Sequence, residues 1–155
     1  MSDPSLELQA GALVAVRASP ALVAMFGSAD AIPAFDTGPP VLDDGDGEVG
    51  YPFIRVGDYD VATEGEPIMH NGVTVDDPSD VTLTVHVFAR GPDRNVTAKQ
   101  IAAALRKALS AEFPLDNGFK ITLGQSESVR HFTESDGLTA HAVLAFRYYV
   151  ESSEA

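Results

Sequence analysis

The chain contains no cysteine among its 155 residues. Disulfides and thiolate metal sites are therefore excluded, which fits an origin in the cytosol. No apolar run approaches the roughly 20 residues that span a bilayer, so no membrane association is expected. The start of the chain, MSDP, lacks the basic residues that open a signal peptide, and none is expected.

Basic residues are also scarce. There are 10 of them against 23 acidic residues, and the net charge is −13. Such a charge favours solubility and repels phosphate backbones, so sequence-specific binding to nucleic acid is not expected. Apolar residues make up 45% of the chain, which predicts a folded core, and its length suits a single domain over residues 1–155.

Residues 45–50, GDGEVG, match the glycine spacing of a dinucleotide-binding loop. That loop requires a helix that follows the glycines, because the helix N-terminus receives the pyrophosphate. Here Tyr51 and Pro52 follow and a strand begins, while Asp46 and Glu48 would repel phosphate. The sequence therefore predicts no nucleotide or other cofactor site.

A calcium loop that starts at Asp44 is the other interpretation of this stretch. Its sixth position is Val49, where glycine is needed, and its twelfth is Arg55, where a bidentate glutamate is needed. Residues 36–50 are therefore predicted to form a flexible, solvated acidic loop. A weak cation site at residues 43–48 stays open as an alternative.

The histidines do not have the spacing of metal ligands; they are His70, His86, His131 and His141. His86 and His141 fall within predicted strands, where they could meet as polar partners across a sheet. The chain has no G-x-S-x-G motif and no cysteine nucleophile. We therefore predict no catalytic or metal site, and no enzyme.

Apolar periodicity predicts the regular elements of the first half. A helix begins after a Ser2 or Asp3 cap and extends to about Ala18, and a further turn over 21–26 is closed by Gly27. One face of the first helix is apolar, with Leu6, Ala10, Leu13 and Val14. Strands or edge pieces are predicted at 31–35, 51–56 and 80–90.

The second half begins with a helix from about Val96 to Ala111, capped by Asp93 or Asn95. Strands follow at 119–126, 129–132 and 138–150, with an Asp-Gly turn at 134–137. A short disordered tail is expected at 152–155. The predicted fold class is α+β, a mostly antiparallel sheet packed by two helices.

Two segments are candidates for contact with a partner. Residues 58–79 form a long polar arm, and we expect it to be mobile in the free protein and ordered on contact. Residues 90–107 hold half of the chain's basic residues against one acid, Asp93. The basic cluster could be a solvated helix face, or it could meet an acidic loop, 43–48 or 58–66, of another subunit.

In their order and spacing, several segments resemble the tail-completion, or tail-terminator, family of long-tailed phages and gene transfer agents. The similarity covers about 140 residues and is carried by ALVAMFG (21–27), YPFIRVG (51–57), VTLTVHVFAR (81–90), AKQIAAALRKAL (98–109) and DGLTAHAVLAFRYYVE (136–151). The 36–50 loop is longer than this family leads us to expect, and Phe88 stands where tryptophan is common.

The resemblance implies a structural virion protein, made in the bacterial cytoplasm and located at the junction of tail and neck. It implies a homohexameric ring that caps the tail tube and contacts the tube protein and the neck or connector, while DNA passes without specific binding. Another neck or tail-tube protein, or a small acidic ligand- or cation-binding domain, remains an alternative. The predicted interface residues are Tyr59, Glu64, Glu66, Met69, Arg90, Arg94, Lys99, Arg106 and Lys107.

Overall fold

A computed structural model of the protein describes residues 4–36, 45, 47–57 and 79–152. The helices are α1 (Pro4–Arg17), α2 (Pro20–Phe26) and α3 (Arg94–Leu109). The strands are β1 (Ala34–Phe35), β2 (Phe53–Val56), β3 (Ser79–Ala89), β4 (Phe119–Thr133) and β5 (Ala140–Ser152). Their arrangement confirms the predicted α+β class.

The strands form one sheet in the order β1-β2-β3-β5-β4. The short β1 runs parallel to β2, and every other neighbouring pair is antiparallel. β3 and β5 pair along their whole length, from Ser79 opposite Val150 to Ala89 opposite Ala140. Since β1 and β4 lie at the two edges, they are the strands with one paired side within the described sheet.

The helices cover one face of this sheet. α3 lies over β3, β5 and β4, while α1 lies beside α3 and over β1, β2 and β3. The core is formed where the inward side chains of the central strands meet the two helices. Its largest members include Leu8, Leu22, Ile101, Leu105, Leu109, Leu144, Phe146 and Tyr148. This packing removes apolar surface from water, which is the main favourable term in folding.

Local chemistry explains several boundaries. Ser19 caps α2, because its hydroxyl accepts a hydrogen bond from the Leu22 amide at 3.3 Å, and Pro20 occupies the first turn. Gly27 ends the helix with a φ of 95°, a backbone conformation that favours glycine. At α3, Asp93 stands at the cap position, as predicted. Its side chain makes no capping hydrogen bond, so the bond that this prediction implied is absent.

The end of the chain differs from the sequence prediction in three places. β4 is one strand rather than two, because its pairing with β5 is irregular between Ile121 and Leu123 and between Ser126 and Ser128 and then continues. β5 begins at Ala140, two residues later than predicted. It also extends to Ser152, which pairs with Phe119, so this residue belongs to the sheet and not to a tail.

The buried face of the first helix differs from the one that its periodicity suggested: of the four predicted residues, Leu13 packs against the core, whereas Leu6, Ala10 and Val14 are exposed. Leu6 and Val14 are 62% and 67% exposed, whereas Leu8, Ala12 and Val16 are at most 1% exposed and form its core face. The reason is that α1 is apolar on almost every side, so periodicity alone could not select the buried stripe.

Candidate subunit interface

α3 presents a basic face to solvent. Its buried stripe includes Ala98, Ile101 and Leu105, and this orientation turns Lys99, Arg106 and Lys107 outward. The helix contains no acidic residue. Within the described part of the chain, none of these three cations has an ion-pair partner. They therefore form a positive surface without an ion-pair partner among the described residues, on a chain whose net charge is −13.

Arg94 lies apart from this basic face. It is half-buried in the first turn of α3, where its Nη1 donates to the carbonyl of Gly91 at 3.2 Å. Its Nε is buried and has no partner among the described residues. The position of Arg94 suits a local role at the start of the helix.

Arg90 is enclosed where β3 ends, and its side chain is only 9% exposed. Its Nη1 donates to the carbonyls of Gly45 and Gly47, at 2.8 and 2.9 Å. Its guanidinium also lies over the Tyr51 ring, 4.4 Å from the centroid. Arg90 thus attaches the 45–51 segment to the sheet.

The same guanidinium reaches the turn between β4 and β5. Its Nε donates to Thr139 Oγ1 at 2.9 Å, and its Nη2 lies 3.3 Å from Asp136 Oδ2. The pKa of Asp136 is lowered to about 2, chiefly because its carboxylate accepts a hydrogen bond from the Leu138 amide and others from Thr139. The positive charge of Arg90 lowers this pKa further. These bonds hold residues 138 and 139 in the turn, which explains the late start of β5.

The four remaining residues of the predicted interface, Tyr59, Glu64, Glu66 and Met69, lie outside the described residues. So do Asp43, Asp44 and Asp46 of the acidic loop, and the cation-binding alternative therefore stays a prediction. Across the described ranges, no group of three His, Asp or Glu side chains could hold a metal ion. Of the predicted set, Lys99, Arg106 and Lys107 are all exposed along α3.

His86 and His141 meet on the sheet face that the helices leave open, as their strand positions predicted. His86 Nδ1 lies 2.9 Å from His141 Nε2, and His141 Nδ1 lies 2.6 Å from Glu134 Oε2. Since an ionised carboxylate only accepts hydrogen bonds, His141 donates from Nδ1 to Glu134, and its Nε2 shares a hydrogen with Nδ1 of His86. Both nitrogens of His141 are therefore used within this chain of hydrogen bonds, and they do not converge on an ion.

Aromatic rings surround this polar chain. Phe88 stacks on His141 with ring centroids 4.2 Å apart, Phe132 lies 4.6 Å from the same ring, and Phe53 stacks on Phe88 at 4.7 Å. The arrangement fits a structural polar pair inside an aromatic cluster. Glu134 is the partner that sequence reasoning missed, because its contact depends on the turn after β4.

A groove separates the N-terminal half of α3 from the end of β4. It has a volume of about 230 Å³ and is lined mainly by Asn95, Ala98 and Lys99 on the helix and by residues 131–133 on the strand. It exists because α3 lies mostly over β3 and β5, so the last part of the edge strand extends beyond the helix layer.

Comparison with known proteins identifies the family of this chain. A sequence profile described as tail completion protein gp17 matches residues 11–151, nearly the whole chain. The chain belongs to the tail completion protein family. It is therefore a structural protein of a phage-type tail, and its location is the virion.

Solved structures support the fold of this tail completion protein. A chain from the virion of a native gene transfer agent particle matches it with a TM-score of 0.68 and 20% sequence identity. The match covers 96% of this chain and 97% of the other. In all, 12 solved chains match. No curated protein sequence does.

Proposed function

We propose that this tail completion protein forms a closed homohexameric ring that caps the tail tube, stops its polymerisation and joins it to the neck. The observation that carries the proposal is the basic face of α3, which has no ion-pair partner among the described residues of this strongly acidic chain. A ring needs heterologous contacts, in which one surface of a subunit meets a different surface of the next. A basic face that has no ion-pair partner within the described ranges meets this requirement when an acidic segment of the neighbour lies opposite it.

The acidic side of this contact is the 43–48 loop or the 58–66 part of the arm. Charge complementarity at such a contact sets register and speeds encounter more than it adds affinity. DNA is a weaker candidate for the basic face, because six subunits would together carry −78, six times −13. That charge lets DNA slide through the ring without specific binding. The remaining partners of the proposed ring are the tube protein and the neck or connector protein.

The test is the double variant Arg106→Glu/Lys107→Glu in a particle that lacks its own copy of the gene. Both residues are exposed, so the variant is expected to fold normally but to leave tails unfinished, which electron microscopy would show as tubes of irregular length without heads. The control is Lys120→Glu, a reversal of charge at an exposed position near the start of β4, away from the 131–133 end of that strand. Glu48→Lys is the candidate compensating change.

Two results would contradict the proposal. If removal of the gene leaves heads joined to tails of normal length, the protein does not terminate tails. If the α3 double variant completes tails as well as its control, the basic face is only a solvated helix surface. Deletion of residues 62–72 tests the arm separately, since we expect it to preserve folding and to abolish tail completion.

A further inference from the structure

α1 carries an apolar surface on the side that faces away from the core. Leu6, Ala10 and Val14 lie one turn apart along the helix and are all exposed, and we call them the α1 outer surface. Within α1 and α2 the only charged residues are Glu7 and Arg17. Both are used inside the chain: Asn117 donates to Glu7 at 2.8 Å, and Arg17 donates to the Ala34 carbonyl at 2.7 Å. An exposed apolar surface of this kind marks an interaction site.

On the opposite side of the helix layer, part of the sheet is left uncovered. α3 lies between α1 and the α3–β4 groove, which is the groove lined by α3 and by residues 131–133. His131 pairs with Ala142 and Thr133 with Ala140, so both side chains point to the face that the helices cover elsewhere. Nevertheless both are exposed. The sheet therefore ends in a strand whose inner face is uncovered at His131 and Thr133 within the described structure.

The charges at the two sides are also complementary. Residues 113–115 pack against Gly11 of α1, Asn117 donates to Glu7, and Glu112 and Asp116 are exposed in the same connection. On the other side, Lys99 lines the groove, and Arg106 and Lys107 continue along α3 without an acid in that helix. A second copy placed with α1 on the groove brings apolar surface to the open strand face, and its Glu112 and Asp116 add to the acids of the 43–48 loop or the arm that are proposed to meet these cations.

We propose that the α1 outer surface of one subunit docks into the α3–β4 groove of the next copy. The contact is head to tail, and it continues both the helix layer and the sheet layer from subunit to subunit. It rests on the proposed ring and names the surfaces that build it. A membrane is the less suitable occupant, because the other face of α1, with Leu8 and Val16, is part of the core.

The chain's lack of cysteine allows a direct test. The double variant Val14→Cys/Thr133→Cys places one thiol on each proposed surface, and a short flexible bismaleimide is then added to the purified protein. We expect a ladder of covalent multimers that ends in one closed species. Each single-cysteine variant can give no more than a dimer, because a subunit with one thiol forms only one link. The matched control is Val49→Cys/Thr133→Cys, since Val49 is 57% exposed and lies in a different part of the fold.

Three results would overturn the contact. The first is a double variant that forms no trimers or larger species beyond those of the control. The second is Val14→Cys alone forming as much dimer as the double variant, which would mean that α1 meets α1. The third is binding to phosphatidylglycerol vesicles that Val14→Glu abolishes and Val49→Glu does not, without any ladder.

The test separates this contact from the proposed function. If the ladder forms but particles without the gene complete their tails, the contact stands and the role as terminator is wrong. If tails need the protein but no ladder forms, the ring is built from other surfaces.

Discussion

Replacement of Arg90 by alanine would decide whether this cation is structural or available to a neighbouring subunit. The sequence grouped Arg90 with Lys99 and Arg106, yet its guanidinium is almost fully enclosed by its own chain. It donates hydrogen bonds to three separate oxygen acceptors, lies beside a carboxylate and covers the ring of Tyr51. The acceptors belong to the 45–51 segment and the 134–139 turn, so one side chain joins three parts of the fold.

The expected loss of stability follows from these contacts. A hydrogen bond that involves a charged group contributes about 1.5–3 kcal/mol, whereas an exposed ion pair contributes about 0–1 kcal/mol. The contacts share one guanidinium and are not additive, so Arg90→Ala should lower the free energy of unfolding by about 3 kcal/mol. Arg90→Lys keeps the charge but concentrates its donors on one nitrogen, and should lose about half as much.

Urea denaturation followed by circular dichroism measures this difference, with Arg106→Ala as the control. Arg106 is exposed and unpaired among the described residues, so its replacement should change the free energy of unfolding by less than about 0.5 kcal/mol. A loss below about 1 kcal/mol for Arg90→Ala would refute the structural assignment. If such a variant also failed to assemble, Arg90 would belong to the interface after all.

Three further changes test the packing and the turn. Tyr148→Phe should cost about 1–2 kcal/mol in urea denaturation, since its buried hydroxyl donates to the Leu109 carbonyl at 2.5 Å and that oxygen would lose its partner. Gly11→Ala should lower the free energy of unfolding by about 1 kcal/mol, because the new Cβ would lie 2.9 Å from the Pro114 carbonyl oxygen. This steric cost should exceed the gain in helix propensity, which is of similar size. A rise in melting temperature would contradict this. The pKa of Asp136 is lowered, so its contribution is complete above the ordinary value of 3.8 and is lost as pH falls toward about 2. Thermal melts across that pH range should show a smaller fall in melting temperature for Asp136→Asn than for the unmodified protein. Equal falls would contradict this role of Asp136.

The sequence was most informative where one periodicity dominated. β3 alternates apolar and other residues, and α3 has one apolar stripe beside charged positions, so both were predicted closely. β4 is different because its pairing is interrupted twice, and a bulge moves later side chains to the other face. Two short strands were therefore predicted where one long strand exists.

Local patterns could not determine which charged residues are enclosed. Arg90 and Lys99 are equivalent in a count of basic residues, but Gly45 and Asp136, which contact Arg90, are about 45 residues away in opposite directions. The pairing of β3 with β2 on one side and with β5 on the other brings these segments together. The His86–His141 contact was predictable because both residues fall in strands, while the addition of Glu134 depends on how the following turn closes.

The misassigned face of α1 connects the folding of the chain to its assembly. A helix that serves only a single domain needs one apolar stripe, and polar residues on its other side favour solubility. α1 instead has Leu8, Ala12 and Val16 inside and Leu6, Ala10 and Val14 outside, so the helix carries two apolar faces. The inner face explains the monomer's core. The outer face has no role in that core, and burial against a second copy would account for it. In this arrangement the apolar contact supplies most of the affinity, while the basic face of α3 directs the approach and sets the register.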